Sequence, residues 1–337
     1  MSNLLQDKVF VFAQNPTPSD SEIYFLDMAA NAAELTGAKN YETVKHGENY
    51  DLYKADSNSG QKFIKLSLDP SYDFYKDPEP PNGPKTFKII QFDAGIPVVA
   101  KIEDAISGQN LVEIGESALN FGWKNVVEAI VQNSQTSSPR TLKQHLKDLY
   151  KKTSLEEDEN LRTLIETNST NYQLVKSGIL ELKQEVQTLY KPWYSAETLI
   201  HGNLSADNIF FTKDRAAFSS WGSSYSGHLF LELAALKMNL DFPADLEYNM
   251  FLALKESAGV SQSWEDYNQC KIFVSSYKFL ECVYSFIKET FLFEGERKNE
   301  LLKLSSYFCR NLGSFSKLSG FKKHQDELLK LFSSPVV

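Results

Sequence analysis

The most constraining stretch of this chain is Leu199-Ile200-His201-Gly202-Asn203-Leu204-Ser205-Ala206-Asp207-Asn208-Ile209-Phe210-Phe211. It has an apolar entry, a polar turn and an apolar exit. Leu199–Ile200 and Ile209–Phe211 read as the ends of two short strands, with the polar residues in the loop between them. A second short strand, Ala216-Ala217-Phe218-Ser219-Ser220-Trp221, follows closely. Two adjacent strands that each end in polar residues are a usual platform for phosphoryl transfer, a reaction catalysed by positioning and charge stabilisation.

These residues resemble the aminoglycoside phosphotransferase and choline kinase family, small-molecule relatives of the protein kinases. The family's catalytic loop reads His-Gly-Asp-x-x-x-x-Asn, and His201-Gly202-Asn203…Asn208 matches it with one change. Its metal strand ends in Ile-Asp-Trp, where this chain has Ser219-Ser220-Trp221. A Gly…Asp-Leu-Ala stretch usually follows, and Gly227…Glu232-Leu233-Ala234 stands in that place. The resemblance implies an α+β, protein-kinase-like two-lobed fold, with a small antiparallel β lobe and a larger, mainly helical lobe. The division is expected at residues 1–115 and 116–337.

Both changes fall on the chemistry. The family's catalytic Asp orients the attacking hydroxyl and accepts its proton. Asn203 has a similar shape, but a neutral amide has no basic carboxylate. The family's second Asp holds the Mg²⁺ that bridges the phosphates. Ser220 offers a neutral hydroxyl to a hard cation that prefers carboxylate oxygen. Asn208 is the polar group that survives, and the metal role implied for Asn208 and Ser220 is weak or lost. Asp207 is the one carboxylate inside the loop and the candidate substitute base. His201 is expected to be a structural residue tying the loop to the core. Glu232 is expected to bond backbone and brace the loop, and His228 to pack rather than ligate.

The remainder of the nucleotide site is also read through the resemblance. Tyr41–Lys45, Tyr50–Ala55 and Gln61–Leu68 alternate as an antiparallel meander. Turns are expected at His46–Asn49, which includes Gly47, and at Asp56–Gly60. In the family the first turn covers the phosphates and a lysine in the third strand reaches them. Gly47 and Lys65 occupy those places. A helix is expected over about Lys85–Ala94. The family's helix there carries a Glu that pairs with the strand lysine, but the matching position falls near Pro84 or Lys85. Glu79 is a conceivable substitute from the preceding loop. Val98–Ile102 and Asn110–Ile114 read as two further strands. Gln109–Gly115, which includes Glu113, resembles the hinge where backbone groups bind adenine.

Beyond the break the pattern is helical. Helices are expected at Asn125–Gln132, from Ser137-Ser138-Pro139 with Leu142, Leu146 and Leu149 on one face, and at Tyr172–Leu189. The last carries Val175, Ile179, Leu182, Val186 and Leu189 at helical spacing. Leu246–Lys255, Trp264–Phe293, Asn299–Leu312 and Lys322–Phe332 each show an apolar face. The acidic run Glu156–Glu159 suits the first turn of a helix, where the dipole favours negative charge.

Composition narrows the partners. The 337 residues carry a net charge of −9, which disfavours non-specific binding to nucleic acid or anionic membrane. Cys270, Cys282 and Cys309 form no metal spacing and no even disulfide set, so reduced thiols in a cytoplasmic protein are expected. The resemblance implies ATP and Mg²⁺ as cofactors, and the neutral residues at 203 and 220 count against them. Three functions fit. The first is a pseudokinase that binds a protein partner or a ligand. The second is an atypical ATP-dependent phosphotransferase acting on a small hydroxylated substrate. The third is a non-catalytic small-molecule binder.

Overall fold

The computed structural model describes residues 7–9, 29–38, 40–45, 51–67, 78–93, 97–138, 140–154, 162, 172–240 and 242–292. The Gly47 turn, the acidic run at Glu156–Glu159, Cys309 and the helices expected at Asn299–Leu312 and Lys322–Phe332 lie outside them. The chain divides into two compact units, Met1–Asn110 with Ile209–Gly222, and Leu111–Asn208 with Ser223–Val337.

In the first unit the alternating runs form strands, as expected: β2 (Asn40–Lys45), β3 (Asp51–Ser57) and β4 (Gly60–Ser67) pair antiparallel. They continue into β6 (Pro97–Asp104) and β5 (Thr86–Asp93), and β1 (Asp7–Val9) adds in parallel at the edge. The six-stranded sheet has the order β1-β5-β6-β4-β3-β2. Side chains two apart share a face. Tyr53 and Ala55, Ile64 and Leu66, Ile90, and Val98, Ala100 and Ile102 form one buried cluster with Ala29, Ala32 and Ala33. Those alanines lie at helical spacing on α1, the helical residues 29–34. Gly37, with φ of 73°, follows the end of that segment, as a helix-terminating glycine does.

The helix expected over Lys85–Ala94 is instead strand β5, hairpin-paired to β6 from Asp93↔Pro97 inward. Thr86, Phe87, Ile89, Ile90 and Phe92 are β-branched or aromatic, and a pairing partner begins a few residues on. The strand expected at Asn110–Ile114 is likewise corrected. Gln109–Asn110 forms the two-residue β7, and Leu111–Ile114 is a short helix, α2. β7 joins β9 (Ile209–Phe211) and β10 (Ala216–Phe218) in a small antiparallel sheet.

The second unit is mainly helical. α3 (Leu119–Asn133) extends beyond the expected helix at both ends and buries Val126, Val127 and Ile130. α4 (Leu142–Lys152) starts later than the Ser137–Pro139 signal. Thr141 provides the cap: its Oγ1 accepts from Gln144 N–H at 3.2 Å, and Gln144 Oε1 accepts from Thr141 N–H at 2.9 Å. Leu142, Leu146 and Leu149 are buried as the stripe requires. α5 spans Tyr172–Leu189, the expected limits, with Ile179, Leu182 and Val186 buried. α6 (Leu229–Asn239), α7 (Ala244–Ala258) and α8 (Trp264–Leu292) complete the unit, and α8 packs on both α5 and α6. α6 is apolar around most of its circumference and buried accordingly, with Glu232 a charged exception. A two-stranded sheet pairs β8 (Thr198–Ile200) with β11 (Tyr225–Gly227). Among the described residues no helix is long and apolar enough to cross a membrane.

Candidate functional site

The loop 201–208 leaves β8 at Ile200 and is braced from beneath by α6. The backbone N–H of His201 donates to the Glu232 carboxylate. Burial pushes the Glu232 carboxyl up to about 7, against the downward pull of the His201 and Gly202 N–H groups and the Lys278 charge. His201 is itself 1% exposed, and its Nδ1 accepts from Asn203 N–H at 3.2 Å. That bond and the burial make it part of the frame. Gly202 has φ of 76°, and a Cβ there would lie 2.9 Å from both Ser223 O and Tyr225 Cε1. Only glycine fits so close an approach.

The far side of the loop is fixed as well. Leu204 is fully buried, and its carbonyl accepts from Asn239 Nδ2 at 2.8 Å. Asn208 Nδ2 donates to Asn203 O and to Ser205 Oγ, each at 3.0 Å. Ser205 Oγ in turn donates to the Asp207 carboxylate. Asn203 and Asp207 are both exposed. The structure therefore brings Asn203, Asp207 and Asn208 into one loop whose backbone is held by buried partners. Beneath it, Tyr225 stacks on His145 at 4.6 Å and shares a hydrogen bond with Tyr277 at 2.7 Å. His228, expected to pack, caps α6: its Nδ1 accepts from Phe230 N–H at 3.2 Å. Burial lowers its pKa to about 4.

In the other unit, Ser220 sits at a tight corner after β10. Phe218 N–H donates to Asn82 O at 2.8 Å, and Trp221 Nε1 donates to Phe218 O at 2.8 Å. Ser220 has φ of 65°, the one non-glycine residue with positive φ among the described residues. Lys65 is buried on β4, and its acidic partner is neither at the helix position, where the sequence has no acid, nor Glu79, the conceivable substitute. Lys65 Nζ lies 2.6 Å from Glu103 Oε2, and Lys101 Nζ lies 2.9 Å from Glu103 Oε1. Both lysines hold the Glu103 carboxyl below its usual range against the cost of burial. The partner comes from the neighbouring strand because β6, not a helix, lies alongside β4. Lys101 and Glu103 went unnoticed in the sequence; their signal was the two-residue spacing on a strand. Glu113 stands exposed on the short α2.

The donor set does not suit Mg²⁺. Ser220 presents a neutral hydroxyl, and Asn208, whose amide nitrogen donates within the loop, has only a neutral amide oxygen to offer. Neither position offers the carboxylate a hard dication prefers. Among the described residues no three His, Cys, Asp or Glu side chains are grouped to hold a metal.

No protein-family model matches the chain, and no curated protein sequence matches it. Solved structures do. A thermostable mutant of aminoglycoside phosphotransferase APH(4)-Ia, in its apo form, aligns with a TM-score of 0.57 at 14% identity, over 83% of this chain and 96% of that one. Choline kinase LicA from Streptococcus pneumoniae aligns with a TM-score of 0.58 at 16% identity, over 87% and 99%. A choline/ethanolamine kinase family protein from Mesorhizobium loti aligns with a TM-score of 0.54 at 11% identity, over 90% and 99%. The chain has the kinase-like, two-lobed α+β fold of these proteins.

Proposed function

We propose that the chain is a pseudokinase: a kinase-fold protein that binds a protein partner or a ligand without efficient phosphoryl transfer. One observation carries this reading. The loop frame is intact, while the two positions that need ionised oxygen hold Asn203 and Ser220. A missing general base alone costs about 10²- to 10⁴-fold in rate. The missing metal carboxylate removes charge stabilisation on which phosphoryl transfer chiefly depends. A fold kept in order around a discharged centre fits selection for binding. The solved neighbours include APH(4)-Ia with ADP and hygromycin B, and LicA with AMP, so a nucleotide is a reasonable first ligand to test. The buried Cys270 thiol and the acidic balance fit a reducing compartment such as the cytoplasm.

The alternative is an atypical phosphotransferase with Asp207 as its base. The exposed Asp207 carboxylate, oriented by Ser205 Oγ, is the feature that favours it. Phosphate release and transfer to small hydroxylated acceptors, measured with ATP and Mg²⁺, separate the two. The expected result is no turnover above a heat-denatured control. Metal-dependent turnover that disappears in Asp207→Ala would establish the alternative.

A further inference from the structure

One short stretch of the second unit leaves its apolar side chains in water. Val112 and Ile114 on α2 and Phe121 in the first turn of α3 are 65%, 36% and 90% exposed. They are three of the nine large apolar residues exposed among the described residues, and they fall within ten positions of one another. Apolar residues scattered singly on a surface need no explanation, whereas a grouped set marks an interaction site. The stretch is one packed piece. α2 packs on the 3₁₀ turn Glu116–Ala118, and that turn packs on α3. Leu111 and Leu119 are buried and anchor it, so the exposed side chains are not what holds it in place.

The charge of the stretch points to its occupant. Leu111–Asn133 carries Glu113, Glu116 and Glu128 against one cation, Lys124, and all four are exposed. Glu128 lies two turns along α3 from Phe121, on the same face. Lys124 Nζ stands over the Trp123 ring at 5.7 Å, so its stem covers an aromatic face rather than opposing the carboxylates. Carboxylates beside an apolar centre favour a partner with apolar anchors and with lysine or arginine around them. A second copy of the chain would set acidic residues against acidic residues, which is unfavourable. An anionic membrane is disfavoured for the same reason.

We propose that the α2–α3 surface centred on Phe121 docks a basic, amphipathic segment of a partner protein. The proposal rests on reading the chain as a binding protein, and it names the chemistry of the partner. Phe121 is the apolar anchor, as buried aromatic residues are at the centres of interfaces. Val112 and Ile114 widen the contact, and Glu113 and Glu116 set the preference for cations.

Fluorescence anisotropy with the full chain and a labelled amphipathic peptide of leucine and lysine tests the surface. The peptide is expected to bind, and its counterpart of leucine and glutamate to bind about tenfold more weakly or not at all. Phe121→Ser is expected to weaken binding about tenfold or more with an unchanged melting temperature. Leu180→Ser, which removes an exposed apolar side chain of α5, leaves the affinity as it was. Glu113→Gln with Glu116→Gln weakens binding about threefold or more at low salt, and the difference shrinks at high salt. Absence of binding, equal binding of the two peptides, or a folded Phe121→Ser with unchanged affinity overturns the proposal. So does a dimer in sedimentation velocity, or attachment to phosphatidylserine vesicles, that Phe121→Ser abolishes. Should Phe121→Ser fail to fold, unchanged affinity in Val112→Ser with Ile114→Ser overturns it. Transfer assays with ATP and Mg²⁺ bear on the pseudokinase reading alone, so the two ideas fail separately.

Discussion

Ser220 occupies a backbone conformation that its side chain does not favour. A β-carbon at positive φ costs roughly 1–2 kcal/mol, a cost that Asn and Asp bear more readily than other residues and Gly avoids. The corner is held by the bonds from Phe218 N–H to Asn82 and from Trp221 Nε1 to Phe218, neither of which uses the Ser220 side chain. Ser220→Asn should leave the urea midpoint unchanged or raise it, whereas Ser220→Val should lower stability by about 1 kcal/mol or more. A Val variant as stable as the parent would show that the corner relaxes. Asn203 and Ser220 were legible in the sequence because the loop and strand signatures that contain them are short and local. Lys101 and Glu103 were not. Their meeting with Lys65 depends on the register of two strands distant in the chain, which no local pattern encodes.

The same contrast separates the elements. α5 was read at its observed limits because Ile179, Leu182 and Val186 fall on one helical stripe. β5 was misread because Ile89 and Ile90 are both buried and adjacent, which breaks the alternation that marks a strand. α6 has a property that no periodicity reveals: two buried titratable groups one turn apart with opposed pH responses. Glu232 is raised from 4.5 to about 7. Its contribution is fully present below about pH 4.5 and is lost as pH rises through 7. His228 is lowered from 6.5 to about 4. Its contribution is present above pH 6.5 and is lost as pH falls towards 4. Each shift corresponds to about 3 kcal/mol. Relative to the parent, Glu232→Gln should therefore gain stability as pH rises from 4.5 to 7. His228→Asn, which keeps a capping side chain, should lose its relative advantage as pH rises from 4 to 6.5. Urea unfolding at half-unit pH steps measures both differences. Two difference curves of the same sign would mean that one of these groups is not buried as described.

The residues a phosphotransferase of this fold would use are divided along the chain. Lys65 and Ser220 belong to the unit formed by Met1–Asn110 and Ile209–Gly222, and Asn203, Asp207 and Asn208 to the other. Repair on one side therefore leaves the other deficient. Asn203→Asp returns a base to a loop whose frame is intact, but Ser220 still supplies no carboxylate for a dication. That single variant should show no phosphoryl transfer. Ser220→Asp is the change that should make ATP affinity respond to Mg²⁺, measured as a difference between titrations with the metal and with EDTA. The double variant is the only one of the three expected to release phosphate with Mg²⁺. Because the base and the metal act on the same transition state, their effects are far from additive. Robust turnover by Asn203→Asp alone would mean that the cation finds its oxygens elsewhere, and that the neutral hydroxyl at 220 was never the limiting loss.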